Sequence, residues 1–158
     1  MSIDTTAVKN RRTIHYASLR ELLADAEKLA AGNTRTLGNW SQGQIYKHLA
    51  LVMQSCLDGF GGATLPWYAR LLGKLIKNRA LTKPMPAGFK LTPAMARVIE
   101  PDSTSTEDGL AFLRTCIQRL ETETQRHDSP FLGKLTVEQW NQLHLRHAEL
   151  HMSYLLPE

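Results

Sequence analysis

The segment Leu143–Tyr154, LHLRHAELHMSY, constrains the fold more than any other stretch, because it carries three of the six histidines, at 144, 147 and 151. A helix turns about 100° per residue, so spacings of three, four and seven put all three imidazoles on one face. Trp140 extends that face one turn earlier and Tyr154 roughly one turn later. An amphipathic helix points such a stripe at the core, and here the core-facing row is made of histidine. Buried imidazoles are costly unless hydrogen-bonded or bound to something. The chain must therefore fold so as to supply partners for them, and a metal ion is the natural candidate.

Four helix-start signals organise the rest. Ser18-Leu19-Arg20-Glu21 reads as a capping box opening a helix over 18–31, with Leu19, Leu22, Leu23, Ala26, Leu29 and Ala30 at helical spacing and Gly32 at C′. Ser41-Gln42-Gly43-Gln44 opens a second helix, with Trp40 stapled onto Ile45. Ile45, His48, Leu49, Val52 and Cys56 share its core face, and it ends near Asp58 before the Gly59–Gly62 turn. A third helix opens in the run 103–106, Thr104 with Glu107 being one box, carries Leu110, Leu113, Ile117 and Leu120, and fades in ETETQRHD. After the turn SPFLGKL, Thr136-Val137-Glu138-Gln139, stapled by Leu135 and Trp140, opens a fourth helix over 136–155.

Between the second and third helices lies a long crossover, 59–103. Pro66 suits the first turn of a shorter helix, WYARLLGKLIKNRAL, with Trp67, Leu71, Leu72, Leu75 and Ile76 as its apolar face and the basic residues opposite. The next stretch, TKPMPAGFKLTPAMARVIEP, holds four prolines and is no continuous helix. Such a loop is either a lid or pocket wall or a plain crossover packed on the helices. Residues 1–17 read as a poorly ordered or extended lead-in, and no stretch is a convincing strand. The expected fold is all-α: one domain, 1–158, forming a four-helix bundle with that irregular crossover.

Composition narrows the function classes. No apolar run reaches the 18 or so residues of a membrane span, and no apolar segment follows the early basic residues as in a secretory signal. Cys56 and Cys116 fit no CxxC pattern and sit at core positions, as free thiols in a reducing cytoplasm do. The net charge of +4 is uneven: residues 66–100 hold seven basic side chains against one acid, Glu100. That segment suits an anionic substrate, although a solvated helix face accounts for the same charges. No nucleic-acid motif or interleaved aromatics accompany it, so neither nucleic acid nor membrane is an expected partner.

Histidine spacing narrows the ligands a metal ion would have. His147 and His151, at i and i+4, can aim at one ion from successive turns, and a third ligand must come from another helix. His48 is the only remaining histidine on a core-facing stripe. His144 is open: a ligand in place of His147, a group supporting the ligands from behind, or a base lining the pocket. The HEXXH motif is absent, because Glu149 follows His147 by two positions and swings about 200° away. Glu149 is therefore expected in solvent and not as a base. His127 lies in a polar run and receives no role. Tyr154 can offer a phenol to a bound ligand or serve as core, and Cys56 is better read as a structural thiol than as a soft second site. A hydrogen-bonded histidine core without metal is the remaining alternative.

Two motifs carry a resemblance. NWSxGQxxxHLA, Asn39 to Ala50, and WxxLHLRHAELH, Trp140 to His151, resemble the DinB/YfiT-like superfamily of metal-binding helical bundles. The opening VKNRRTIHYASLRELL, the middle PAGFKL and the turn SPFLGKL are similar to one branch of uncharacterised bacterial DinB-like proteins. The resemblance implies an up-down-down-up bundle with a divalent metal, zinc, nickel or iron, on three histidines. Carried over, these are His48, His147 and His151, with His144 as a candidate addition. Wider members are thiol-dependent transferases using bacillithiol or mycothiol, and others have no known activity; the expectation is a cytoplasmic metal-dependent enzyme acting on a small molecule by thiol transfer or hydrolysis. The competing expectation is a non-enzymatic metal- or ligand-binding bundle that stores or senses, with a homodimer as a candidate assembly.

Overall fold

The computed structural model describes residues 3–158. In chain order the elements are α1 (Leu19–Ala31), β1 (Thr34–Thr36), α2 (Gln42–Asp58), α3 (Trp67–Thr82), α4 (Pro93–Ile99), α5 (Thr106–Thr122), α6 (Val137–Met152) and β2 (Leu155–Pro157). The molecule is mostly helical, and among the described residues no helix is long and apolar enough to cross a membrane.

The strong start signals act as read. At α2, Ser41 accepts from the Gln44 amide while the Gln44 side chain accepts from the Ser41 amide, and Thr136 and Gln139 repeat the pair at α6. Two other caps differ in detail. Ser18 accepts from the Glu21 amide, but the Glu21 carboxylate reaches back to the Ala17 amide, one residue before the cap. α5 is capped by Ser105 through the Asp108 amide, one position later than a Thr104–Glu107 box. Gly32 ends α1 in an extended conformation, not a left-handed one.

The core lies among α1, α2, α5 and α6. Leu22, Tyr46, Leu49, Met53, Leu113, Ile117, Trp140 and Met152 are fully buried there. α2 and α5 form the most extensive helix pair. Their N-terminal ends meet so closely that a Cβ on Gly43 would lie 2.3 Å from the Thr104 carbonyl oxygen, backbone that has nowhere to go.

Three expectations are corrected. α6 stops at Met152 rather than 155, because the chain turns at Ser153 and pairs Leu155–Pro157 antiparallel with Thr34–Thr36. The absence of strands is thus overturned by one small sheet, which joins the C-terminus to the α1–α2 connection. The crossover 59–103 contains two helices. α3, at 16 residues, is as long as α6 rather than shorter, and α4 is a single short piece with Pro93 in its first turn and Thr92 as its cap.

Most of the apolar stripe of α3 faces outward, with Ile76 half-buried against the cavity. Trp67, Tyr68, Leu71, Leu72 and Leu75 are exposed, from 52% to 77%. Instead the helix docks on the side carrying Gly73 and Leu81, both buried. A Cβ on Gly73 would fall 1.8 Å from the Phe131 carbonyl oxygen, so α3 rests directly on the backbone of the 129–133 turn. Lys77 secures the contact with a 2.8 Å hydrogen bond to the Lys134 carbonyl. The lead-in is tied down, with a turn at Asp4–Ala7 and Asn10 at positive φ, while its residues 1 and 2 lie outside the described residues. The Arg12 amide donates to the Ser153 carbonyl and the Tyr16 hydroxyl to Asp25.

Candidate metal centre

α2 and α6 position the histidines. With capping boxes fixing where each helix begins, His48 falls on the inner face of α2, next to Leu49, and His147 and His151 fall one turn apart on α6. One ligand atom from each of the three lies within 4.8 Å of the other two. The Nε2 atoms of His48 and His147 are 3.1 Å apart, and the three rings pack edge to face with centroids 4.6 to 4.9 Å apart. The structure therefore brings together the three residues expected across the two helices.

The donor set fits a divalent ion. His48 Nδ1 lies 2.7 Å from the Ile99 carbonyl oxygen. A carbonyl only accepts, so the proton sits on Nδ1 and the Nε2 lone pair points at the other two rings. Fixing a ligand's tautomer through its distal nitrogen is how metal sites orient imidazoles. In a tetrahedral zinc site with bonds of about 2.0–2.1 Å, neighbouring nitrogens stand about 3.3 Å apart, close to the His48–His147 separation. Charge points the same way. Burial pushes the His48 pKa down to about 4, and burial together with the neighbouring imidazoles holds His147 and His151 well below the ordinary value. All three are neutral near pH 7, the form that binds metal.

His144 is placed apart from this group. Its Nε2 lies 3.3 Å from Cys56 Sγ, and its ring stacks on Trp140 at 5.3 Å. Burial drives the His144 pKa down to about 3 and the Cys56 pKa up to about 12. The two are a neutral thiol and a neutral imidazole, not a thiolate–imidazolium pair. Cys56 is fully buried, as its structural reading required.

Glu149 corrects an expectation. It is 7% exposed, not solvated: its Oε1 accepts from Arg146 at 2.7 Å and from the Tyr16 amide at 2.7 Å. The carboxylate does leave the histidine face, but the lead-in segment covers that side of α6. It clamps the lead-in and is unavailable as a base. Tyr154 is also committed, its hydroxyl donating to the Thr5 carbonyl at 2.9 Å. His127 is exposed, in keeping with its polar context.

Trp40 is the site residue whose place the sequence misassigned. Its ring lies 4.7 Å from His48 and 5.5 Å from His151, the latter stacked, so it walls the histidines instead of serving only as a helix staple. The Ile99 carbonyl had no sequence signal, since backbone oxygens carry none. A cavity of about 660 Å³ opens from the histidines, walled by α2 and α6 on one side and by α3, the 83–92 loop and α4 on the other. The crossover is thus a pocket wall, one of the two readings of it.

No curated protein and no solved structure matches the chain. A family model described as "Protein of unknown function (DUF1569)" matches residues 8–158, and the chain belongs to that family.

Proposed function

We propose that the protein is a metal-dependent enzyme acting on a small molecule, with His48, His147 and His151 holding one divalent ion. The observation that carries this reading is the Ile99 carbonyl on His48 Nδ1, which aims a lone pair at two further neutral imidazoles. A three-histidine set leaves a coordination position for water or substrate, as catalytic rather than structural sites do. When bound, such an ion lowers the pKa of a coordinated water or thiol and polarises a substrate oxygen. The chain's residues hold the ligands neutral, orient them and, through Trp40 and the cavity walls, restrict water. Thiol transfer and hydrolysis both suit that arrangement, and zinc, nickel and iron all suit imidazole ligands.

The same proposal includes the DinB/YfiT-like architecture. α1, α2, α5 and α6 would be the up-down-down-up four-helix bundle, with α3 and α4 inserted between its second and third helices. In support, α1 and α2 each pack against both α5 and α6. A second reading, a non-catalytic metal- or ligand-binding protein, is favoured by the engagement of Glu149 with Arg146 and Tyr16, which removes the nearest α6 carboxylate from acid–base work.

Elemental analysis of purified wild type beside His48→Ala and His147→Ala tests the site. Stoichiometric metal in wild type, lost in both folded variants, supports it. Equal content in all three, or none in metal-supplemented wild type, rejects it. A screen for metal-dependent thiol-transfer and hydrolase turnover then separates enzyme from binder.

A further inference from the structure

We propose that the cavity beside the histidines takes a small molecule with an apolar body and a single metal-directed polar head. This rests on the metal reading of His48, His147 and His151, and it concerns what the walls select. At about 660 Å³ the cavity is in the range of small-molecule sites. Its walls are built from Phe60, Ile76, Met85, Phe89, Met95 and Leu143 among others, and no acidic side chain lines it. The two charged lining residues, Arg79 and Lys83, are exposed and stand at the rim.

Five of the polar lining side chains narrow the ligand class, because each has a protein partner already. Asn39 exchanges two hydrogen bonds with the backbone of Ile3. Thr92 and Ser129 accept from the amides of Met95 and Leu132. Tyr154 donates to Thr5, and His144 Nε2 is held by Cys56. A ligand decorated with several hydroxyls, amides or carboxylates would lose its water and find few side-chain replacements, which is costly for every group left unpaired. An alkyl or aryl body gains from the same walls by leaving water. The histidine cluster is where a polar head meets several ring nitrogens at once.

Hydroxamates of different tail length test this, using the full-length zinc-loaded protein in calorimetric titrations. Acetohydroxamate and octanohydroxamate share the metal-binding head and differ in the apolar tail. The expected result is octanohydroxamate binding on the order of 1,000-fold more tightly. That advantage should fall to within a few-fold in Ile76→Trp, which fills the cavity from α3, and persist in Leu75→Ser, which blunts the exposed stripe of the same helix. Met95→Trp fills the opposite wall should Ile76→Trp fail to fold. Equal affinities, or an advantage that survives filling and vanishes in Leu75→Ser, overturn the proposal. 1-Octanol, which has no metal-binding head, reads the cavity alone. Octanol binding without retained zinc sinks the metal reading and leaves the apolar site, whereas retained zinc with no tail advantage sinks the apolar site and leaves the metal.

Discussion

α3 and α6 are both 16-residue helices with a stripe at helical spacing, and they use those stripes in opposite ways. On α6 the row Trp140, His144, His147, His151 turns inward, though it is mostly polar. On α3 the row Trp67, Leu71, Leu72, Leu75 turns outward, though it is apolar, and Gly73 lies buried on the other side. Polarity of a stripe therefore did not set its direction. Partners did: the α6 histidines meet His48, Trp40 and Cys56. α3 instead has to seat its backbone against the 129–133 turn, where only a residue without a side chain fits.

Substitutions on the two helices test which stripe is core. The largest effect is expected at Trp140, which is buried, stacked on Phe60 and His144, and bonded through Nε1 to the His127 carbonyl. Trp140→Ala should cost about 3–5 kcal/mol in urea unfolding, and a cost near zero would mean the α6 stripe is not core. Zinc comes next. At a free concentration of 100 times its Kd, it should stabilise wild type by about 2.7 kcal/mol and leave His48→Ala unchanged.

The inward histidines also predict a pH response of the metal-free protein. His48 is depressed from its ordinary 6.5 to about 4 and His144 to about 3, both chiefly by burial. Below pH 6.5 the unfolded chain takes up protons that the folded chain refuses until those lower values, so stability is lost as pH falls through that window. Between pH 7 and 5 the loss should be about 2 kcal/mol per histidine, and denaturant titrations showing flat stability there would contradict the burial.

Two neighbouring positions on α3 give the smaller effects and the sharpest contrast. Gly73→Ala places a methyl against the Phe131 carbonyl and should destabilise by about 1–3 kcal/mol. Leu75→Ser, on the exposed face, should change stability by no more than about 0.5 kcal/mol. Reversal of that order, read from the same unfolding transitions, would show that α3 buries its leucine stripe after all.

Helix starts were legible because caps are local chemistry. Ser41 with Gln44 and Thr136 with Gln139 satisfy amides within one turn, so four residues specify them. The end of α6 was not legible, since Leu155–Pro157 leave the helix to pair with Thr34–Thr36, a partner far away in sequence. Glu149 was misread for the same reason: its direction away from the histidines follows from helix geometry, but the lead-in lying across it does not. Of the site, the three ligand candidates could be picked from spacing and a second helix. The walls formed by Trp40 and the crossover, and the Ile99 carbonyl behind His48, could not.

Local chemistry sets where α2 and α6 begin and which residues share a face on each, because hydrogen-bonded caps and a 3.6-residue turn act over a few positions. The sequence also determined that three imidazoles need partners. Only the tertiary structure decided that the α6 face points inward and the α3 face outward, that Glu149 is clamped, and that an apolar cavity adjoins the histidines. Those outcomes depend on which surfaces meet, and that is settled by close approach of backbone and side chains from distant parts of the chain, such as Gly73 on Phe131 and His48 on Ile99.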